Sequence, residues 1–265
     1  MITFDTAVTQ HTTATRRLQS VSLQMATGKR EMGGTRLDAA NFSMAAKFDA
    51  QVHRMDAALS NTGNAMSMLQ TQDGTLRSVG KALNRMGELA ILAQDVTKSN
   101  SDRALYAEEF TQLKTMVSDS AGMTFNGVKM FGIQSKAVTV NEDGGTTKLP
   151  AINLQADPYA VAVADETAID TLDSATAALA VVKEGMSQVS TDRAEVGAAQ
   201  ASLEAESERL TVARSSLTSA GSRITDVNYA YAVTKKSAAQ VQLQMATAVL
   251  AHKSVNPEAA LYLTL

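Results

Sequence analysis

The apolar residues of this chain recur every three or four positions over most of its length, which is the spacing of one face of an α-helix. Gly33-Gly34 and Gly122 interrupt the pattern, and Ser101 is the predicted N-cap of a helix that follows it. The helical pattern covers five stretches, namely residues 5–32, about 38–98, about 102–120, about 165–226 and 227–265. The predicted fold is therefore mostly α-helical.

The stretches 38–98 and 165–226 keep their alternation long enough to predict a coiled-coil-like seam. Fifteen successive positions from Ala175 onward keep a 3.5-residue register, which places Leu179, Met186 and Arg193 on the seam. A helix over residues 165–226 would be a rod of roughly 90 Å and would need a partner of similar length, which residues 38–98 provide. The predicted seam of this antiparallel rod comprises Val52, Met55, Leu59, Met66, Leu69, Leu76, Leu83, Met86, Leu203, Leu210, Leu217 and Ile224.

Residues 124–155 have a different pattern, with a period near two in part of the segment. Val138-Thr139-Val140 alternates and is followed by the turn-forming residues Asn141 to Gly145. Short β-branched runs beside a Gly-rich turn predict one small β-hairpin region within the helical chain.

The final stretch, 227–265, carries apolar residues around a wide arc of its predicted helix, and such a helix should be buried. Residues 5–32 can cover only part of that arc, so identical neighbours are expected to cover the rest. An open contact of this kind between copies propagates as a filament. The predicted polymerisation interface comprises Leu18, Val21, Met25, Val241, Leu243, Met245, Val249 and Leu250.

Composition supports a helical protein. Aromatic residues make up 4% of the chain, Trp is absent and Pro occurs three times. The net charge of −3 argues against general affinity for nucleic acid, although residues 1–30 sum to +3 and residues 227–265 to +2. The chain contains no run of 18 apolar residues, so a transmembrane helix is not expected. The N-terminus lacks the features of a cleaved signal peptide.

The sequence predicts no catalytic, cofactor or metal site. His11, His53 and His252 lie on separate predicted helices, and none belongs to a His-Glu-x-x-His motif. Cys is absent, so a thiol nucleophile is excluded. An enzyme is therefore not expected.

Several segments, in their order along the chain, resemble bacterial flagellin. At the N-terminal side the run from Thr35 to Phe42 looks like the family's D-D-A-A-G stretch, and the run from Leu83 to Ala90 is similar to its R-x-R-E-L-A stretch. Further matches are Ala45–Phe48, Gln72–Leu76, Phe125–Lys129 (F-N-G-x-K), Ala220–Ala230 (A-x-S-R-I-x-D-x-D-Y-A), and Val249–Ala251 with Asn256-Pro257 and Leu261 (V-L-A…N-x-x-P…L).

The resemblance implies a near-minimal flagellin that self-assembles into the extracellular filament used for motility, its terminal helices ordering on polymerisation. Similar chains are secreted through an export apparatus with an export chaperone and fold beneath a filament cap. The implied domains are 1–34 and 227–265 for the two parts of the inner helical domain, 35–131 and 170–226 for the rod, and 132–169 for a short hairpin region.

Arg85 and Leu89 resemble part of the patch that the innate immune receptor for flagellin reads. Gly87 and Thr115 depart from the family pattern in this region.

Two other functions remain open at this point. A hook–filament junction protein shares the terminal-helix design, although its resemblance to flagellin is greatest at the N-terminus. A cytoplasmic signalling or adaptor bundle would explain the heptads and would form a finite oligomer, but it would not explain the hairpin region or the apolar final helix.

Overall fold

The computed structural model describes residues 4–30 and 39–262, with side chains for residues 6–30 and 39–251. Over these ranges the chain is mostly α-helical, as predicted. The elements in chain order are α1 (Phe4–Thr27), α2 (Ala39–Ala93), α3 (Asn100–Ser120), β1 (Thr124–Phe125), β2 (Val128–Lys129), β3 (Ala137–Thr139), β4 (Thr146–Lys148), α4 (Tyr159–Val163), α5 (Leu172–Thr225) and α6 (Tyr229–Tyr262). The predicted break at Gly33-Gly34 lies outside the described residues.

The chain divides into two compact units, and the division falls within α2 and within α5. The rod unit comprises His53–Arg214, and the terminal unit comprises Met1–Val52 together with Ser215–Leu265.

In the rod unit α2 and α5 pack antiparallel along a regular seam. A Cβ atom built on Gly80 would lie 3.3 Å from Cγ1 of Val189, and one built on Gly87 would lie 3.7 Å from Cγ1 of Val182. The buried residues of both helices follow each other in steps of three and four, which is the seam of a left-handed helix pair. They include Met55, Ala58, Thr62, Ala65, Leu69, Gln72, Leu76, Val79, Leu83, Met86, Ala90 and Ala93 in α2, and Ala175, Ala178, Val182, Gly185, Val189, Asp192 and Val196 in α5.

The predicted register of α5 is wrong at three alternate seam positions between Ala175 and Val196. Ala178, Gly185 and Asp192 are buried there, whereas Leu179, Met186 and Arg193 are half-buried. Arg193 lies at the rim of the seam, where its Nε donates to Oδ1 of Asp73 at 2.8 Å. At the rim the guanidinium keeps contact with water. It would lose that contact if Arg193 were buried in the seam.

Helix α3 begins two residues earlier than predicted, and its N-cap is Ser99 rather than Ser101. The Ser99 hydroxyl accepts a bond from the Asp102 N–H at 3.2 Å, and the Asp102 carboxylate accepts one from the Ser99 N–H at 2.9 Å. This reciprocal capping box satisfies two backbone donors that the helix itself leaves unpaired. Arg103 then fixes the preceding loop, since its Nε donates to the carbonyl of Ala93 at 2.7 Å.

We expect Ser99→Ala to lower the free energy of unfolding by about 1 kcal/mol, because the helix loses its side-chain cap. Ser101→Ala is the matched control. It removes a serine hydroxyl two residues further along the chain and should change stability by less than about 0.5 kcal/mol. Equal effects of the two substitutions in denaturant titrations would contradict the assignment of the cap.

The region after α3 contains two short hairpins where the sequence predicted one. β1 pairs with β2 around Asn126 and Gly127, whose positive φ values of 49° and 77° are those of a tight Asn-Gly turn. β3 pairs with β4 around the predicted turn, in which Oδ1 of Asn141 accepts a bond from the Gly145 N–H.

Apolar side chains from this region pack against the helices of the rod unit, and the buried Tyr159 hydroxyl is hydrogen-bonded there. The Tyr159 hydroxyl donates to Oδ2 of Asp192 at 2.7 Å, and Gln188 donates to Oδ1 of the same carboxylate at 2.7 Å. Burial, followed by the nearby carboxylate, raises the pKa of Tyr159 above its ordinary value. The apolar contributors are Met130, Phe131, Val140, Leu149, Ile152, Leu154, Tyr159, Ala162 and Ile169.

Candidate assembly surfaces

In the terminal unit α1 and α6 form an antiparallel pair with a seam made mainly of alanine. The buried residues lie seven apart in each helix, so they occupy one stripe of a heptad pattern. Alanine side chains let two helices approach closely but remove little apolar area from water. The buried residues are Ala7, Ala14 and Val21 in α1, and Ala232, Ala239 and Ala246 in α6.

The outer faces of this helix pair expose large apolar side chains. The exposed fraction is 53% for Val241, 59% for Met245 and 61% for Tyr231. Isolated apolar residues on a surface are ordinary, but a set spread along both helices of one pair indicates an interaction surface. The other members are Val8, Leu23, Tyr229, Val233 and Val249. We call these eight residues the outer apolar face.

The predicted interface residues are divided between the seam and the outer apolar face. Val21 is buried in the seam, and Leu18, Met25, Leu243 and Leu250 are half-buried beside it. Val241, Met245 and Val249 are exposed. The predicted set lacks the alanines of the seam, whose seven-residue spacing is a signal in the sequence. It also lacks five members of the outer apolar face, namely Val8, Leu23, Tyr229, Tyr231 and Val233.

Backbone and side-chain bonds join the C-terminal end of α1 to the N-terminal end of α6. The Val227 N–H donates to the Gly28 carbonyl at 2.9 Å, and the Arg30 N–H donates to the Thr225 carbonyl at 2.8 Å. Gly28 has a φ of +72°, the left-handed conformation in which glycine ends a helix. Nζ of Lys29 lies 2.5 Å from Oδ1 of Asp226, so an ion pair fixes the same end.

The Asp226 carboxylate makes this closure sensitive to acid. Its hydrogen bond from Lys29, and then one from Ser222, hold the pKa of Asp226 below its usual value of 3.8. The charged carboxylate therefore favours the folded state above the unfolded pKa, and this contribution disappears as the pH falls through the lower, folded pKa.

We expect amide exchange near residues 225–230 to become faster below about pH 4, relative to intrinsic exchange rates, as Asp226 takes up a proton. Asp226→Asn should reduce this dependence on pH. Asp49→Asn, which changes a different carboxylate of the terminal unit, is the control. A dependence that is the same in all three proteins would contradict the role of Asp226.

The terminal unit also contains an apolar groove of about 680 Å³ between the first turns of α2 and the last turns of α5. Phe42, Phe48, Val52 and Leu217 line it. Val52 and Leu217, predicted as seam residues, are therefore half-buried at the edge of an open groove.

The other predicted seam residues are distributed as follows. The fully buried ones are Met55, Leu69, Leu76, Leu83, Met86, Leu203 and Leu210, and the half-buried ones are Leu59, Met66 and Ile224.

The two residues of the immune-receptor resemblance have different environments. Leu89 is 0% exposed and belongs to the core of the rod unit. Arg85 is accessible and bonds both Glu109, with Nε at 2.6 Å from Oε1, and Glu88. These carboxylates raise the pKa of Arg85 above its ordinary value. Recognition by an immune receptor stays a prediction.

Among the described residues no cluster of His, Cys, Asp or Glu has the arrangement of a metal site. No helix in the described part of the chain is long and apolar enough to cross a membrane.

Comparison with known proteins places the chain in a family. The profile of the bacterial flagellin N-terminal helical region matches residues 5–136, and that of the C-terminal helical region matches residues 179–260. A flagellin of Halalkalibacterium halodurans is 30% identical over 232 residues, which is 85% of this chain and 84% of that protein.

Two solved structures share the fold. The crystal structure of Bacillus cereus flagellin has a TM-score of 0.52 and 24% identity, covering 57% of this chain and 88% of its own. A putative flagellar hook-associated protein from Vibrio parahaemolyticus has a TM-score of 0.60 and 15% identity, covering 69% and 97%. Since the helical profiles match both ends and the sequence similarity extends over most of the chain, this chain belongs to the bacterial flagellin family, the structural subunits of the flagellar filament.

Proposed function

We propose that copies of this chain polymerise by burying the outer apolar face of α1 and α6 against identical neighbours. The exposure of that face carries the proposal: Val241 and Met245 are 53% and 59% exposed in the single chain. Burying one such side chain fully contributes about 1.5–3 kcal/mol. A face of eight side chains can therefore drive association.

The alanine seam supports coupling between ordering of the helix pair and polymerisation. Ala7, Ala14, Ala239 and Ala246 bury little apolar area, so the α1–α6 pair gains limited stability from its own contacts. Helices whose apolar faces lie in water are marginal by themselves. Contact with a neighbour would stabilise the pair, so that the terminal helices order as the subunit joins the filament.

The proposal extends to export and location. We infer that the chain is secreted by the flagellar export apparatus with an export chaperone, assembles beneath a filament cap and acts outside the cell in motility. The resemblance of the chain to flagellins and its family membership support these inferences. The family is structural, and no enzymatic activity is proposed.

The test is seeded elongation followed by electron microscopy, with the double variant Val241→Gln/Met245→Gln. Both side chains are exposed, so the variant should keep the monomer's circular dichroism. Its critical concentration for elongation should rise at least about tenfold, since each lost burial is worth more than 1 kcal/mol.

Val96→Gln is the matched control, because Val96 is 80% exposed and lies in the rod unit. Its elongation should be normal. Wild-type protein that yields only discrete oligomers on seeds would overturn the filament proposal and favour a junction protein or a signalling bundle.

A further inference from the structure

The terminal unit contains a second groove, of about 690 Å³, that is lined by cations. Arg17, Arg30, Arg223 and Lys235 face it, and Asp226 is the one carboxylate among its described lining residues. That carboxylate already pairs with Lys29 at 2.5 Å. We call this feature the basic groove.

Three of the four cations of the basic groove have neutral partners in the single chain. Arg17 donates to the Gln242 side chain at 3.3 Å, and Arg30 donates to the Ile224 carbonyl at 3.4 Å. Nζ of Lys235 lies 4.5 Å from the ring centroid of Tyr231. Guanidinium groups form their strongest contacts with carboxylates, so the groove is suited to a partner that supplies them.

The rod unit contains a segment with the complementary charge. Residues 149–182 include five acidic residues and no Lys or Arg. All five are exposed, and no described residue forms an ion pair with the four that lie together, Asp165, Glu166, Asp170 and Asp173. We call residues 165–173 the acidic segment.

The backbone of the acidic segment is fixed. The buried Lys114 donates from Nζ to the carbonyls of Ala164 at 2.5 Å and Thr167 at 3.0 Å. At its other end Thr171 and Ser174 exchange hydrogen bonds of 3.0 and 3.2 Å that begin α5. A segment held in this way loses little conformational entropy when it binds.

The two units as a whole carry opposite net charges, with the same signs as the basic groove and the acidic segment. The terminal unit has ten Lys and Arg against six Asp and Glu, whereas the rod unit has 14 against 21. The net charges are therefore +4 and −7. Opposite charge on two surfaces of one protein favours a heterologous contact between copies, in which the two surfaces differ.

We propose that the basic groove of one copy binds the acidic segment of another copy. This contact rests on the proposed polymerisation and specifies two surfaces that bring subunits together in one orientation. Complementary charge of this kind steers encounter and suppresses wrong registers, in addition to the apolar contacts.

The test is a charge exchange in seeded elongation. Asp165→Lys/Asp170→Lys and Arg223→Glu/Lys235→Glu should each raise the critical concentration at least about tenfold, because like charges then face each other. A chain with all four substitutions should elongate from seeds of the same four-fold variant within about threefold of wild type on wild-type seeds.

The controls reverse the same number of charges elsewhere. Glu204→Lys/Glu208→Lys changes exposed residues of α5 in the rod unit, and Arg16→Glu/Lys47→Glu changes exposed residues of the terminal unit. Both should stay within about twofold of wild type, since additive effects of distant surface charges are small. Circular dichroism of every monomer checks that it is folded.

The contact would be overturned if the four-fold variant did not recover, or if the controls lost elongation to the same extent. It would also be overturned if Arg223→Glu/Lys235→Glu elongated normally and lost binding to a single-stranded oligonucleotide, which would assign the groove to nucleic acid. Failure of wild-type chains to elongate wild-type seeds would contradict the proposed function itself, and the two failures are therefore distinguishable.

Discussion

Deletion of residues 240–265 should abolish seeded filament growth, with at least about a hundredfold rise in critical concentration. The deletion removes Ala246 from the α1–α6 seam and Val241, Met245 and Val249 from the outer apolar face. Full burial of an exposed aliphatic side chain contributes about 1.5–3 kcal/mol, so burial of the exposed parts of these three contributes about 2–4 kcal/mol. A hundredfold change requires about 2.7 kcal/mol, and loss of the seam contact of Ala246 adds to the effect.

The measurement is electron microscopy together with sedimentation of the unpolymerised fraction. Amide exchange of the seam residues 76–90 in α2 serves as the control, because these belong to the rod unit. Their protection should match that of the full chain. Filaments of normal length from the truncated chain would show that the polymerisation interface lies elsewhere.

Leu83→Ala should lower the stability of the rod unit by about 3 kcal/mol. Leu83 is 0% exposed, and a Cβ atom built on Gly185 of α5 would lie 3.4 Å from its Cδ1. The cavity left by alanine lies where the two helices meet, and a glycine backbone has no side chain that could fill it.

Leu105→Ala is the matched control, since Leu105 is a leucine of α3 that is 68% exposed. It should change stability by less than about 0.5 kcal/mol. The readout is the free energy of local opening from amide exchange over residues 76–90 and 178–192, which reports on the rod unit alone. Equal effects of the two substitutions would contradict the position of Leu83 in the seam.

Some parts of the fold of this flagellin follow from short stretches of its sequence. The three- and four-residue spacing of apolar side chains predicted the existence of the long helices, because each residue's face depends only on the helical period. Asn141 to Gly145 predicted a hairpin, because Asn and Gly adopt the required turn conformations irrespective of distant contacts. The family resemblance in turn depended on motifs that are visible in the chain itself.

Register and burial depended on the partner helix. Steps of four then three from Ala175 share every seventh residue with the observed steps of three then four, so Val182, Val189 and Val196 fit both. Choosing between Gly185 and Met186 requires the opposite surface of α2, where Leu83 fills the space beside a glycine. Hydrophobicity favours Met186 at that position, whereas close approach of two helices favours Gly185.

The sequence by itself therefore determined the mostly helical class, the hairpin region and the flagellin family, since these follow from periodicity, turn chemistry and motif order. Tertiary structure alone decided which stripe of each helix is buried, because packing selects shape as well as hydrophobicity. It placed Leu89 in the core and left Val241 and Met245 exposed. The cap at Ser99, by contrast, is a local feature that the sequence analysis missed, because Asp102 three residues later completes a reciprocal pair with Ser99.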